Sequence, residues 1–165
     1  MKAIAHLKQL IEEDTREKHP LVPSHCLPKP NTGQNIKSKE RRELFRIEKF
    51  CSLTKGIKMN RIDNSGKRID NTRVVEDILG NRKTIGSIEY RKSQMQNGIA
   101  DLVGLIHGRY YAVELKRIYK NGKDRQSAAQ KQYQREVEEA GGVYVIINSF
   151  EHFYEWYMSE IRGDI

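Results

Sequence analysis

Glu114 and Lys116 stand one residue apart at the end of the run Tyr110-Tyr111-Ala112-Val113-Glu114-Leu115-Lys116. Alternate side chains of a β-strand share a face, so these two project together while Val113 and Leu115 enter the opposite layer. The run Asp101-Leu102-Val103-Gly104-Leu105-Ile106 precedes it, and only His107-Gly108 separates the two. Folded as an antiparallel hairpin, the first residue of one strand lies beside the end of the other. Two carboxylates and an ammonium then converge, a set suited to one hard divalent cation and an activated water. Glu-x-Lys by itself is an ordinary solvated ion pair. The acid opening the other arm makes the group informative.

Flanking elements must hold that hairpin. Ser38 caps a predicted helix to about Thr54, with Leu44, Ile47, Phe50, Cys51 and Leu53 on its apolar side and Gly56 as its stop. Residues 57–62 alternate as a strand, closed by Asp63-Asn64-Ser65-Gly66. The polar stretch 67–98 offers short elements at 74–79 and 84–90. Ser127 and Gln130 form a capping box that opens a helix to about Ala140, ended by Gly141-Gly142. The apolar run Val143-Tyr144-Val145-Ile146-Ile147 reads as a strand covered on both faces, and a last helix spans about Phe150 to Arg162. The order helix, strand, hairpin, helix, strand, helix implies an α/β fold: a mixed β-sheet flanked by α-helices.

A chain of 165 residues, 37% hydrophobic and 32% charged, is one domain's worth with a generous surface. No apolar stretch approaches the ~18 residues of a membrane span. The first residues lack the apolar core of a secretory signal, and Cys26 and Cys51 make no disulfide framework, so an intracellular setting is expected. His19, His25 and Cys26 match no zinc-site spacing. Residues 1–37 read as an appendage to the domain at 38–165: a helix over 2–18, then an arm holding all four prolines, which packs on the core or clasps a second subunit.

The net charge of +8 is concentrated: residues 37–73 carry 12 Lys and Arg against 5 Asp and Glu. A basic segment beside a metal-ready site suits an enzyme that cuts a polyanion. Arg61 alternates onto the face of Ile57 and Met59, where a cation can clamp a phosphate. Arg61, Ser65, Lys67, Arg68 and Lys131 are the candidate DNA contacts.

Four segments in order resemble the virus-type replication–repair (VRR) nuclease domain of the PD-(D/E)xK phosphodiesterase superfamily. They are Arg61-Ile62-Asp63-Asn64-Ser65-Gly66, Gly98-Ile99-Ala100-Asp101-Leu102, Gly108 to Lys116, and Ser127-Ala128-Ala129-Gln130 with Gly141-Gly142. The resemblance covers about residues 40–150. Ala100 stands where the family often has proline, and the stretch from Arg61 to Asp101 is longer than usual. The resemblance implies a restriction-endonuclease-like core and a Mg²⁺- or Mn²⁺-dependent DNA endonuclease acting on branched DNA. A four-way (Holliday) junction cut by a homodimer is the leading expectation. The alternatives are a restriction-type or flap-nicking enzyme on the same fold, and a DNA-binding module without activity. By the same resemblance Asp101, Glu114 and the Leu115 carbonyl bind the ion, and Lys116 deprotonates or electrostatically supports the attacking water. Gln130 joins the site beside its capping role, and a carboxylate of the first core helix, Glu43 in preference to Glu40, completes it.

Overall fold

The computed structural model describes residues 2–64, 66–91, 93, 95–116 and 126–161. Its helices are α1 (Lys2–Lys18), α2 (Lys39–Leu53), α3 (Ala128–Glu139) and α4 (Phe150–Trp156), the last continued by a π-helical turn, Tyr157–Ile161. Its strands are β1 (Ile57–Arg61), β2 (Lys67–Asp70), β3 (Arg73–Glu76), β4 (Arg82–Ile85), β5 (Ile88–Arg91), β6 (Leu102–Ile106), β7 (Arg109–Leu115) and β8 (Val143–Ile147). No helix among the described residues is long and apolar enough to cross a membrane.

The central sheet has the order β1-β6-β7-β8, with β7 and β8 parallel and the other pairs antiparallel. The expected mixed sheet flanked by helices is therefore present. Its key joint is the two-residue turn between β6 and β7. His107 (φ 47°) and Gly108 (φ 83°) both occupy the left-handed region, as the tight turn matching the strands' twist requires. That turn pairs Ile106 with Arg109 and, at the far end, Leu102 with Val113. Asp101 is thereby brought level with Glu114.

Each face of the sheet has its own cover. Leu102, Val113, Leu115 and Ile147 meet Leu44, Ile47 and Phe50 of α2 and Phe150 and Phe153 of α4. Phe50 sits at the centre of an aromatic cluster, its ring 5.5 to 6.2 Å from those of Phe150, Phe153, Tyr154 and Tyr157. On the opposite face Tyr133 and Val137 of α3 pack on Ala100, Ala112 and Tyr144. As an edge strand, β8 is covered less fully than its apolar run implies: Ile146, beside Glu114 in the sheet, is 41% exposed.

The division at residue 37 separates no second core. Ala3, Leu7 and Ile11 of α1 belong to the same cluster as Phe50 and Phe153, and Arg46 of α2 donates to the buried Thr32 carbonyl in the arm at 3.1 Å. Amphipathic helices gain most of their stability from such packing, so α1 is part of the domain. The stretch 67–91 departs furthest from the sequence reading. It forms an antiparallel ribbon, β2 with β5 and β3 with β4, exposed along almost its whole length.

Leu7 is completely buried. Leu7→Ala is expected to lower the unfolding free energy by about 2–5 kcal/mol in urea titrations; an appended helix would show no change.

Candidate active site at the rim of the sheet

At the end of the sheet where β6 begins and β7 finishes, four predicted side chains meet. Asp101 Oδ2 accepts the Leu115 N–H at 2.9 Å, tying the two strand ends together. Glu114 is almost completely buried beneath α3. Lys116 Nζ lies 3.1 Å from Glu114 Oε1 and donates to Gln130 Oε1 at 2.9 Å. Gln130 Nε2 donates to Glu114 Oε1. The amide thus presents its donor to the carboxylate and its acceptor to the ammonium, an assignment its chemistry dictates.

Gln130 also serves its helix. Its Oε1 accepts the Ser127 N–H at 3.0 Å, while Ser127 Oγ accepts the Gln130 N–H at 3.2 Å. Both halves of the capping box are made. Helix start and site are one hydrogen-bond network, so the capping and site roles coexist. Gly98 (φ 82°) brings the approach to β6 against the first turn of α3; a Cβ there would stand 2.3 Å from the Ala129 carbonyl carbon. Only glycine permits that approach.

Burial and repulsion between acids hold both carboxylates of the site toward protonation. Burial, more than anything else, raises the Asp101 pKa; the Glu40 charge adds to this, while the Leu115 N–H, Lys116 and Arg61 oppose it. Glu114 is raised by burial first and by the Asp101 charge second, against Lys116. Two carboxylates that resist joint ionisation are a natural seat for a cation. Among the described residues Glu114 Oε2 is buried without a hydrogen-bond partner, as is Tyr144 Oη. Tyr144 lies close enough to Glu114 and Gln126 for both to shift its pKa, but neither contact reaches hydrogen-bond geometry. Burial chiefly raises that pKa, keeping the hydroxyl protonated beside the carboxylates. Nothing in the apolar run 143–147 singled Tyr144 out. Its placement follows from the parallel pairing of Ala112 with Tyr144.

One expectation is corrected. Glu43 does not complete the site: its Oε2 accepts the buried Phe150 N–H at 2.9 Å and its Oε1 takes Arg46 at 3.0 Å. A buried carboxylate holding a helix-opening N–H and an arginine is a structural tie. Glu40, exposed in the first turn of α2, is the helix carboxylate whose charge reaches Asp101.

Arg61 is exposed at the end of β1, close enough to lower the Asp101 pKa. Lys67 and Arg68 are exposed on β2, Arg68 in a salt bridge with Asp70 at 3.0 Å. Lys131 is exposed on the first turn of α3. Ser65 lies outside the described residues. Among the described residues no group of three or more His, Cys, Asp and Glu side chains gathers as a metal-ligand cluster. Asp101 and Glu114 supply two carboxylates, and the unpartnered Glu114 Oε2 fits a hard, oxygen-seeking ion. A cavity of about 400 Å³ at the opposite end of the sheet, lined in part by Ile106, His107, Arg109 and Trp156, lacks such a set.

Comparison with family models, with curated proteins and with solved structures gives no match for this chain.

The raised acids predict a pH dependence. In EDTA the folded protein holds protons on Asp101 and Glu114 more tightly than the unfolded chain, so stability falls as pH rises from the ordinary carboxylate range, about 4, through the raised folded values. Asp101→Asn should flatten that fall, as measured by urea unfolding across a pH series.

Proposed function

We propose that this chain is a Mg²⁺- or Mn²⁺-dependent DNA endonuclease with a restriction-endonuclease-like core of the VRR type, acting on branched DNA and foremost on four-way junctions. The observation that carries the reading is the convergence of Asp101, Glu114, Lys116 and Gln130 at one rim of the sheet. The order α2–β1–β6–β7–α3–β8 around that rim adds support.

Asp101, Glu114 and the Leu115 carbonyl would hold the ion, whose chemistry when bound is to polarise the phosphate and acidify a water. Lys116 has two of its three N–H bonds engaged, by Glu114 and by Gln130, both acceptors. Among the described residues no acceptor takes the third, which can serve the attacking water or a phosphate oxygen. Lys116 acts as a positioned donor that offsets charge developing on phosphorus. Gln130 fixes the angle of Lys116 and, through the capping box, makes that angle a property of the helix start. Arg61 faces the same rim as a phosphate clamp. A four-stranded junction needs two matched cuts, so a homodimer with paired sites is the expected assembly.

The test uses purified protein with four-way junction, flap, plain duplex, single-stranded DNA and RNA, each with Mg²⁺ or Mn²⁺. Paired symmetric nicks in the junction are expected. Glu114→Gln and Lys116→Met should each reduce cleavage by at least about 100-fold, with junction binding in Ca²⁺ unchanged. Undiminished cutting by Glu114→Gln would remove the site from consideration. In parallel, millimolar Mn²⁺ should raise the melting temperature of the parent and leave that of Asp101→Asn where it stands in EDTA.

A further inference from the structure

The ribbon at 67–91 rises from the rim of the candidate site. Its first strand follows Arg61 and its last leads back to Asp101, so both roots flank the rim. The base is fastened there. Asn64 Nδ2 donates to the Gln96 carbonyl at 3.3 Å across the two roots, and Gln96 Nε2 donates to Glu136 of α3 at 2.7 Å.

The ribbon is two separate strand pairs that share one register offset. Lys67 pairs with Arg91, Asp70 with Ile88, Arg73 with Ile85 and Glu76 with Arg82, and the Asn71 N–H reaches the Ser87 carbonyl between the two halves. The ladder is interrupted at 71–72 and 86–87, where Gly86 (φ 105°) stands, but the residue offset between the strands is the same on both sides, so faces are assigned by parity within each half. One face presents Lys67, Arg73, Lys83 and Arg91 with Glu89 as its only acid; the other presents Arg68 and Arg82 with Asp70 and Glu76. On that second face each arginine is spent, in Arg68–Asp70 at 3.0 Å and Arg82–Glu76 at 2.9 Å. Lys67, Arg73 and Lys83 form no salt bridge among the described residues. The ribbon therefore has a cationic face and a neutral one.

At about 3.3 Å per residue, the ribbon from Lys67 to its tip reaches roughly 35 Å, about one turn of a DNA duplex. A two-stranded ribbon fits a major groove about 12 Å wide. The tip is preformed: Asp77 Oδ1 accepts the N–H groups of Leu79 and Asn81, each at 2.9 Å.

We infer that the ribbon's cationic face, carried by Lys67, Arg73 and Lys83, docks on the DNA duplex beside the phosphate that the site attacks. This rests on the nuclease reading and adds the element that grips the duplex. Among the described residues near the rim, no other element combines that length, that one-sided charge and that exposure. A single covered face would mark the ribbon as a sheet packed on its own domain; it has none. Because Arg68 and Arg82 are satisfied by their own acids, they contribute little to this contact.

The test measures binding of a fluorescein-labelled four-way junction and a plain duplex in Ca²⁺ across a salt series. It compares the parent, the triple variant Lys67→Gln/Arg73→Gln/Lys83→Gln, and an equal-charge comparator, Lys2→Gln/Lys8→Gln/Arg82→Gln. Each removed phosphate contact should flatten the log–log salt slope by about 0.9, so the triple variant should lose about 2 to 3 from the slope and at least about tenfold in affinity. The comparator should track the parent. Parent-like melting of the triple variant shows that the fold is intact. An unchanged slope in the triple variant, with cleavage still dependent on Glu114, would overturn the ribbon's role and leave the nuclease reading standing. A dimer that dissociates in the triple variant while the slope holds would instead assign the cationic face to a second copy of the chain. Failure of the parent to bind any DNA would overturn both.

Discussion

The register of the β6–β7 hairpin is the constraint from which the site follows. A one-residue slip would invert every side chain of β7, turning Glu114 into the helical core and Val113 outward. Two devices prevent it. The His107-Gly108 turn, with both residues at positive φ, sets the pairing at one end. At the other, Asp101 accepts the Leu115 N–H and closes the strand pair with one of the candidate site's own carboxylates. Asp101 is thus a structural clasp as well as an acid. Its position relative to Glu114 comes from backbone pairing, which is far stiffer than any contact between long side chains.

Around that frame charges are partly buried at a cost. Asp101 and Glu114 are pushed toward protonation by burial and by each other, and the opposing cations Lys116 and Arg61 reach them from different elements. Gln130 makes the arrangement tolerable by serving a carboxylate and an ammonium with opposite ends of one amide. Because that amide also caps α3, the helix and the charged group are stabilised together. Clustered, partly buried carboxylates with shifted pKa values are more frequent where a protein does chemistry than elsewhere.

Much of this was legible in the residues because the signals are local. The tight turn, the capping box at Ser127, the Ser38 cap and the glycine stops each follow from a few neighbouring positions, and the structure places them where the sequence implies. What escaped depends on contacts distant in the chain. Glu43 borders an apolar helix face and resembles a site carboxylate until its partner, the Phe150 N–H, is known. Of the two places open to α1, the core or a second subunit, the structure takes the first, against the cluster that holds Phe50 and Phe153. Tyr144 joins the site through the parallel pairing of Ala112 with Tyr144. The ribbon was obscure for another reason. With both faces in solvent, its strands lack the apolar–polar alternation by which half-buried strands are recognised.

The one offset shared by the two strand pairs, Lys67–Arg91 to Asp70–Ile88 and Arg73–Ile85 to Glu76–Arg82, also restricts how this part of the molecule can vary. An insertion in one strand alone must bulge, and beyond the bulge it exchanges the two surfaces on that side. An insertion near the base that keeps the outer residues on their own sides has to come as two residues in each strand, a change in reach of about 6.6 Å.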